Sequence, residues 1–301
     1  MRVLVTDGMD ASAIERLRND GHEIVEQFYE EDELGTALRD FDAVIIRSAT
    51  KIREKQILEA KDSKLKLIIR AGVGIDNIDT KAAQEAGIEV KNTPRASSNA
   101  VAELTLAHLL SCARNISIAG YTMREEKWEK KAYSKGFELE GKTAGVVGFG
   151  RIGQLVGAKL NALGMKVMAY DIYKNPNVRE SETLYYAEMD DVLANSDVLC
   201  FCVPSGEKPF VDEESLNKMK DGVVIINTSR GSNIDETALL NALNSGKVLA
   251  AGLDVYADEK NPNWELVKHP HVSCTPHIGA GTKEAQSRIG LELIDIIENY
   301  E

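Results

Sequence analysis

The chain has 301 residues, 43% hydrophobic and 28% charged, a length for about two domains with enough apolar material for two cores. Its 36 Lys and Arg stand against 48 Asp and Glu, a formal net charge of -12. That balance excludes the broad basic surface on which binding to nucleic acid or an anionic membrane depends, and an anionic small substrate would need a local positive patch.

The opening MRVLVTDG has a short apolar run that stops at Asp7 and Gly8, which reads as a first strand and not a signal peptide. No apolar stretch approaches the length of a membrane span. Over the first ninety residues, strands are predicted at 3–6, 23–27, 43–46, 67–69 and 88–91. Helices are predicted to begin near Asp10, Glu31, Arg53 and Thr80. Such alternation reads as a parallel α/β sheet. Pro94 closes this unit. A long helix is predicted from about 98 to 118, nearly ringed by Val101, Leu104, Leu106, Leu109 and Leu110, and therefore buried between domains or subunits.

After the charged stretch EEKWEKK (125–131), a second alternating unit starts at Thr143. Its strands are predicted at 144–149, 166–171, 198–203, 223–227, 249–255 and 271–275, with helices between them. A last helix, roughly 282–299, follows this sheet with no strand after it, so it can return to the first domain. Cys112, Cys200, Cys202 and Cys274 lack the two-residue gap of a zinc knuckle. They read as reduced core thiols of a cytoplasmic protein, and no metal site is expected.

The most informative segment is GKTAGVVGFGRIGQLVGAKLNALGMKVMAYD (141–171). A strand runs into Gly148-x-Gly150-x-x-Gly153, and a helix opens at once. Gly148 permits a tight turn, Gly150 leaves room for a pyrophosphate, and Gly153 lets helix and strand pack closely. The helix start, with Arg151 and Ile152, points free N–H groups and a positive dipole end at the phosphates. Asp171 ends the next strand about 20 residues beyond Gly148, the spacing of an acid that accepts ribose hydroxyls. It would repel a 2′-phosphate, so NAD is favoured over NADP, although Lys174 lies nearby. Glycine turns with an acidic strand end also occur in S-adenosylmethionine-binding sheets.

Three polar residues follow apolar strands: Arg230 in INTSRG (226–231), Glu259 after AGLDVYADE (251–259), and His277 in CTPHIG (274–279). In open α/β sheets such strand ends line the ligand crevice. Hydride transfer to a 2-oxo acid needs a guanidinium for the carboxylate and carbonyl, a proton donor near neutral pH, and a carboxylate to orient that donor. Taken singly, each has a plainer reading as surface charge or turn residue.

GFGRIG, NTSRG, GLDV and TPHIG, in this order, resemble the D-isomer-specific 2-hydroxyacid dehydrogenases. The similarity extends to IRSATK (46–51), RAGVGIDNID (70–79), NTPRASSNAVAE (92–103) and ELEGKTAGVVGFGRIG (138–153), nearly the whole chain. The resemblance implies an arginine–glutamate–histidine relay of Arg230, Glu259 and His277. It implies two doubly wound, parallel-sheet, Rossmann-like α/β domains with an interdomain cleft. Residues 1–97 and 281–301 would form a flavodoxin-like substrate-binding domain, and 98–280 an NAD-binding domain. The long helix would contribute to a homodimer interface. Val73 and Gly74 would offer amides to the substrate carboxylate, and Asn99 would face the cleft. Val203, Pro204, Thr228, Asp254 and Gly279 would line the nicotinamide and adenosine pockets, with Asp254 holding the carboxamide. The residues alone read Asp254 as a strand-end cap for a local turn.

Arg47 and Arg70 end the apolar runs of the first domain, and a second anionic group on the substrate would explain them. Their segments resemble those of D-3-phosphoglycerate dehydrogenases, which implies 3-phosphoglycerate oxidation in serine synthesis. The alternatives are hydroxypyruvate, glyoxylate or D-lactate as substrate, or an NAD-sensing protein like the family-related corepressors. The sequence departs from the family at Lys260, where proline is usual, which leaves Asp258 as a competitor to Glu259. Arg95 stands where the family often has a small or neutral residue. With the chain ending at Glu301, an added regulatory domain and serine feedback through it are not expected.

Overall fold

A computed structural model describes residues 1–300. The chain divides into two compact units, Asn99–Gly279 and the remainder, Met1–Ser98 with the segment from Ala280 onward.

The first unit runs β1 (Arg2–Val5), α1 (Ala11–Asn19), β2 (Glu23–Glu26), α2 (Glu31–Leu38), β3 (Ala43–Ile46), α3 (Glu54–Ala60), β4 (Leu67–Arg70), α4 (Thr80–Glu85) and β5 (Glu89–Asn92). Its sheet is parallel, in the flavodoxin-like order β2-β1-β3-β4-β5. Residues 43–46 and 67–69 are fully buried because helices cover both faces, which is why these strands read as unbroken apolar runs.

The second unit runs α5 (Ser98–Arg114, entered at its first residue), α6 (Ile116–Arg124), α7 (Lys130–Tyr133), β6 (Thr143–Val147), α8 (Arg151–Ala162), β7 (Lys166–Tyr170), β8 (Leu184–Tyr186), α9 (Met189–Asn195) and β9 (Val198–Phe201). It continues through α10 (Glu213–Lys218), β10 (Val223–Asn227), α11 (Glu236–Ser245), β11 (Val248–Leu253), α12 (Trp264–Val267) and β12 (Val272–Cys274). Its seven parallel strands lie in the order β12-β11-β10-β9-β6-β7-β8, which reverses direction between β6 and β9. This is the doubly wound dinucleotide arrangement with one strand added at an edge. The last helix, α13 (Lys283–Glu298), belongs to the first unit and packs on α1: Ile289, Leu293, Ile294 and Ile297 join Ala13, Ile14 and Leu17 in one buried cluster.

Two expectations differ from the structure. The helix predicted over 98–118 stops at Arg114. Asn115 takes a left-handed φ of 54°, which ends one helix and starts the next, and Leu110 is exposed rather than part of a buried ring. Strand β8 has no counterpart among the predicted elements. It is a half-buried edge strand of three residues, too short to show a pattern. Among the described residues, no helix is long and apolar enough to cross a membrane.

Candidate active site

The glycine turn sits at the topological switch point. Gly148 has a φ of 89°, and a Cβ there would lie 2.6 Å from the Cys202 carbonyl oxygen and from the Val203 side chain. A Cβ on Gly153 would lie 1.9 Å from the Gly148 carbonyl oxygen, so α8 and the turn meet backbone to backbone. Gly150 is different in kind: a Cβ there meets nothing within 4 Å. It is the N-cap of α8, and no side chain caps that helix. The turn therefore leaves a space lined by free first-turn amides, the cradle a pyrophosphate fits.

Asp171 holds this turn in shape. Its Oδ2 accepts the Phe149 amide at 2.7 Å and its Oδ1 the Tyr173 amide at 3.0 Å, leaving further lone pairs on both oxygens. The Lys174 ammonium lies 3.5 Å from Glu188.

Arg230, Asp254 and His277 leave the C-terminal ends of three adjacent strands. Asn227 on β10 pairs with Leu253 on β11, and Leu253 pairs with Cys274 on β12, so the three segments emerge at one level. The Arg230 turn is shaped by Asn227, whose Nδ2 donates to the Arg230 carbonyl at 2.8 Å. Arg230 Nη1 donates to the Ser229 carbonyl at 2.6 Å. Gly231 admits the neighbouring loop: a Cβ there would stand 2.0 Å from the Tyr256 carbonyl oxygen. That loop carries Glu259. It is tied down by Tyr256, whose hydroxyl donates to the Thr275 carbonyl, and by the Ala257 amide, which donates to Glu236 at 2.8 Å.

Glu259 Oε1 lies 2.7 Å from His277 Nδ1, with both side chains partly open to solvent at 42% and 32% exposure. The neighbouring Asp258 instead accepts the Lys260 and Asn261 amides, so it shapes the loop. His277 has a left-handed φ of 52°, uncommon for a residue with a side chain and found where the surroundings enforce it. Asp254, 1% exposed, supplies the enforcement. Its carbonyl accepts the His277 amide at 2.8 Å. Its carboxylate accepts the Thr275 hydroxyl at 2.6 Å and the amides of Ile278 and Gly279 at 2.8 and 2.9 Å.

Of the other residues singled out from the sequence, Val203 lies against Gly148, and its carbonyl accepts from Asn233 Nδ2 at 3.2 Å; Pro204 follows it, exposed. The Thr228 hydroxyl is buried against that of Thr105 at 2.7 Å. Asn99 is exposed and donates to Glu103 on its own helix. In the first unit, the Arg47 loop is pinned by Asp7, which accepts the Arg47 and Thr50 amides, and by Asn77, which donates to the carbonyls of both. Arg70 folds over its own turn, donating to the Ala71 carbonyl at 2.7 Å and lying over Gly72. The Val73 carbonyl accepts from Asn92, and Arg95 is exposed.

The sequence reading missed Asn227, Thr275 and Tyr256, the groups that shape the three loops. Asn227 and Thr275 stand inside the quoted motifs, but neither is ionisable. It also missed His108, whose signal was a lone imidazole on an apolar helix.

Residues 106–279, more than half the chain, match the NAD-binding domain of the D-isomer-specific 2-hydroxyacid dehydrogenases. The chain is 45% identical to a hydroxypyruvate reductase of Thermotoga maritima over 98% of its own length and 97% of that protein's. It is 40% identical to a D-3-phosphoglycerate dehydrogenase of Archaeoglobus fulgidus, covering 99% of this chain but 57% of that one, so it spans little more than half of such relatives. A D-lactate dehydrogenase of Aquifex aeolicus, solved with NAD and lactic acid, superposes with a TM-score of 0.88 at 28% identity over 99% of this chain and 94% of that one. The chain belongs to the D-isomer-specific 2-hydroxyacid dehydrogenase family. It is an NAD-dependent oxidoreductase, and its substrate is a small 2-hydroxy acid.

Proposed function

We propose that this chain interconverts a three-carbon 2-oxo acid and its D-2-hydroxy acid, with 3-phosphohydroxypyruvate and D-3-phosphoglycerate as the preferred pair. The reaction reading is carried by the 2.7 Å contact between His277 Nδ1 and Glu259 Oε1. With Nδ1 committed to Glu259, Nε2 is the atom that gives a proton to the carbonyl oxygen in reduction and takes the hydroxyl proton in oxidation. Glu259 orients the ring through its contact with Nδ1. Arg230 grips the carboxylate and polarises the carbonyl. Bound NAD supplies or accepts the hydride at the adjacent carbon. In this reading the second unit holds NAD through Gly148, Gly150, Arg151, Ile152 and Gly153, and Asp171 takes the ribose hydroxyls with its remaining lone pairs. Val203, Pro204, Thr228 and Gly279 flank the cofactor, and Asp254 contributes beside the carboxamide.

The first unit is read as the substrate-binding part. The amides of Val73 and Gly74 donate to no backbone carbonyl among the described residues, which suits them to a substrate carboxylate. Asn99, at the start of the second unit, is read as a further substrate-binding group. Arg47 supports the phosphate: its loop is pinned, while no described group bonds its guanidinium. Arg70 is read as the second cation of that subsite. A second reading, hydroxypyruvate itself, is favoured by the full-length similarity to the Thermotoga maritima reductase.

NADH oxidation with 3-phosphohydroxypyruvate, hydroxypyruvate, glyoxylate and pyruvate tests both. The phosphorylated acid is expected to have the highest kcat/KM, and Arg47→Gln to raise its KM while leaving that of hydroxypyruvate unchanged. A preference for hydroxypyruvate would keep the reaction and replace the substrate. NADH binding without turnover would bring forward a sensing role. We further read the chain as a cytoplasmic homodimer, supported by its four free thiols and by the exposed Ile116, Tyr121, Met123 and Trp128 on and after α6.

A further inference from the structure

Helix α5 buries Val101, Thr105, His108 and Cys112, spaced four, three and four apart on one face. Two of these side chains are hydrogen-bonded to the strand ends of the site. Thr105 meets Thr228, as above. His108, 2% exposed, has Nδ1 3.0 Å from Ser273 Oγ and Nε2 2.9 Å from Thr275 Oγ1. The approach is close enough to need glycine opposite: a Cβ on Gly252 of β11 would lie 2.6 Å from His108 Cβ.

From Thr275 the bonds run on to the catalytic loop. Thr275 Oγ1 donates to Asp254 Oδ1, and the Asp254 carboxylate holds the amides of Ile278 and Gly279, one on each oxygen. Chemistry fixes the direction of each bond. A carboxylate only accepts, so the single hydroxyl hydrogen of Thr275 points at Asp254. Thr275 must then accept from His108 Nε2–H, which leaves Nδ1 to accept from the Ser273 hydroxyl. Burial lowers the basicity of His108, against an opposing pull from Asp254, and keeps the neutral ring this pattern needs. The chain of bonds ends on the two residues that follow His277, the residue with the left-handed backbone.

We propose that His108 is a positioning residue for hydride transfer: through Thr275 and Asp254 it fixes the turn that presents His277. The inference rests on the proposed role of His277, and the experiment separates the two. Wild type is compared with His108→Leu, His108→Gln, Thr275→Val and the double variant His108→Leu/Thr275→Val. The readouts are kcat and KM for the 2-oxo acids above, NADH affinity by fluorescence, and the histidine ring signals in proton–carbon NMR spectra.

His108→Leu and Thr275→Val are each expected to lower kcat about ten-fold, with KM and NADH affinity within about two-fold of wild type. His108→Gln, whose amide can donate to Thr275, recovers most of the loss. The double variant is no slower than the slower single variant, because both break one chain of bonds. The His277 signals shift in both single variants, while those of His22, His269 and His271 do not. Unchanged kcat with unmoved His277 signals overturns the inference, as do losses that multiply in the double variant or that follow a matching loss of NADH affinity. If the wild type reduces no 2-oxo acid, the proposed function fails and the His277 signals alone decide this inference. Should His108→Leu not fold, Thr275→Val against Thr275→Ser, which keeps the hydroxyl, makes the same comparison.

Discussion

Gly150 and Gly153 stand three residues apart and are glycine for opposite reasons. Gly150 faces open space, so Gly150→Ala is expected to fold with an unchanged melting temperature and to bind NADH at least about ten-fold more weakly, a result read by titration. Gly153 has backbone at 1.9 Å, so Gly153→Ala is expected to destabilise the fold by about 1–3 kcal/mol in urea unfolding. His277→Asn tests the proposed proton donor, because Asn tolerates the left-handed backbone that His277 adopts. Its kcat is expected to fall about 10²–10⁴-fold with NADH affinity retained. At this scale the motif residues were legible in the sequence, since glycine spacing and strand-end charge are local properties. Glu259 was named through the resemblance with Asp258 left as a competitor, because which carboxylate faces His277 depends on how the folded loop turns.

His108 also carries a stability consequence. Burial lowers its pKa from the ordinary 6.5, so the unfolded chain takes up a proton more readily than the folded one. The stability it preserves is complete above pH 6.5 and is lost as pH falls from there toward the folded value. His108→Gln is expected to flatten the fall in unfolding free energy between about pH 7 and 5, by at most about 1.4 kcal/mol per pH unit. His22 and His269, lowered by burial in the same way, keep part of the slope in the variant.

At the scale of elements, α13 is held to the first unit by apolar contact with α1. A Cβ on Gly290 would lie 2.8 Å from Ala13 Cβ, so the two helices meet closely, and Leu293 is fully buried at their junction. Leu293→Ala is expected to cost about 2–5 kcal/mol in denaturant unfolding. The strand–helix alternation was legible because parallel strands covered on both faces appear as apolar runs such as AVII and VVIIN. Strand β8 was not, for LYY is half-buried at an edge and its pairing with β7 does the work that a pattern would otherwise reveal. The break after α5 was missed because Asn enters the left-handed region without the signature of Gly or Pro.

For the whole molecule, NAD recognition is coupled to folding, because the cradle of Gly148, Gly150 and α8 exists only in the folded chain. NADH at about 100 times its Kd is expected to stabilise the protein by about 2.7 kcal/mol, visible as a raised melting temperature. NADPH at the same concentration is expected to raise it less, because Asp171, directly after β7, is read as the acid at the ribose and would repel a 2′-phosphate. Equal stabilisation by both cofactors would remove Asp171 from that role.

The sequence by itself determined the α/β class, the dinucleotide turn and the family, because periodicity and motif spacing are properties of neighbouring residues. Only the tertiary structure decided that α13 covers α1, and that His108 reaches Thr275 across 167 residues of chain. The apolar pattern of α5 says that the helix is largely buried, but not that Thr105 and His108 lie on its buried face. It does not say what that face meets, and the partner is fixed by how closely Gly252 lets the helix approach the ends of the strands.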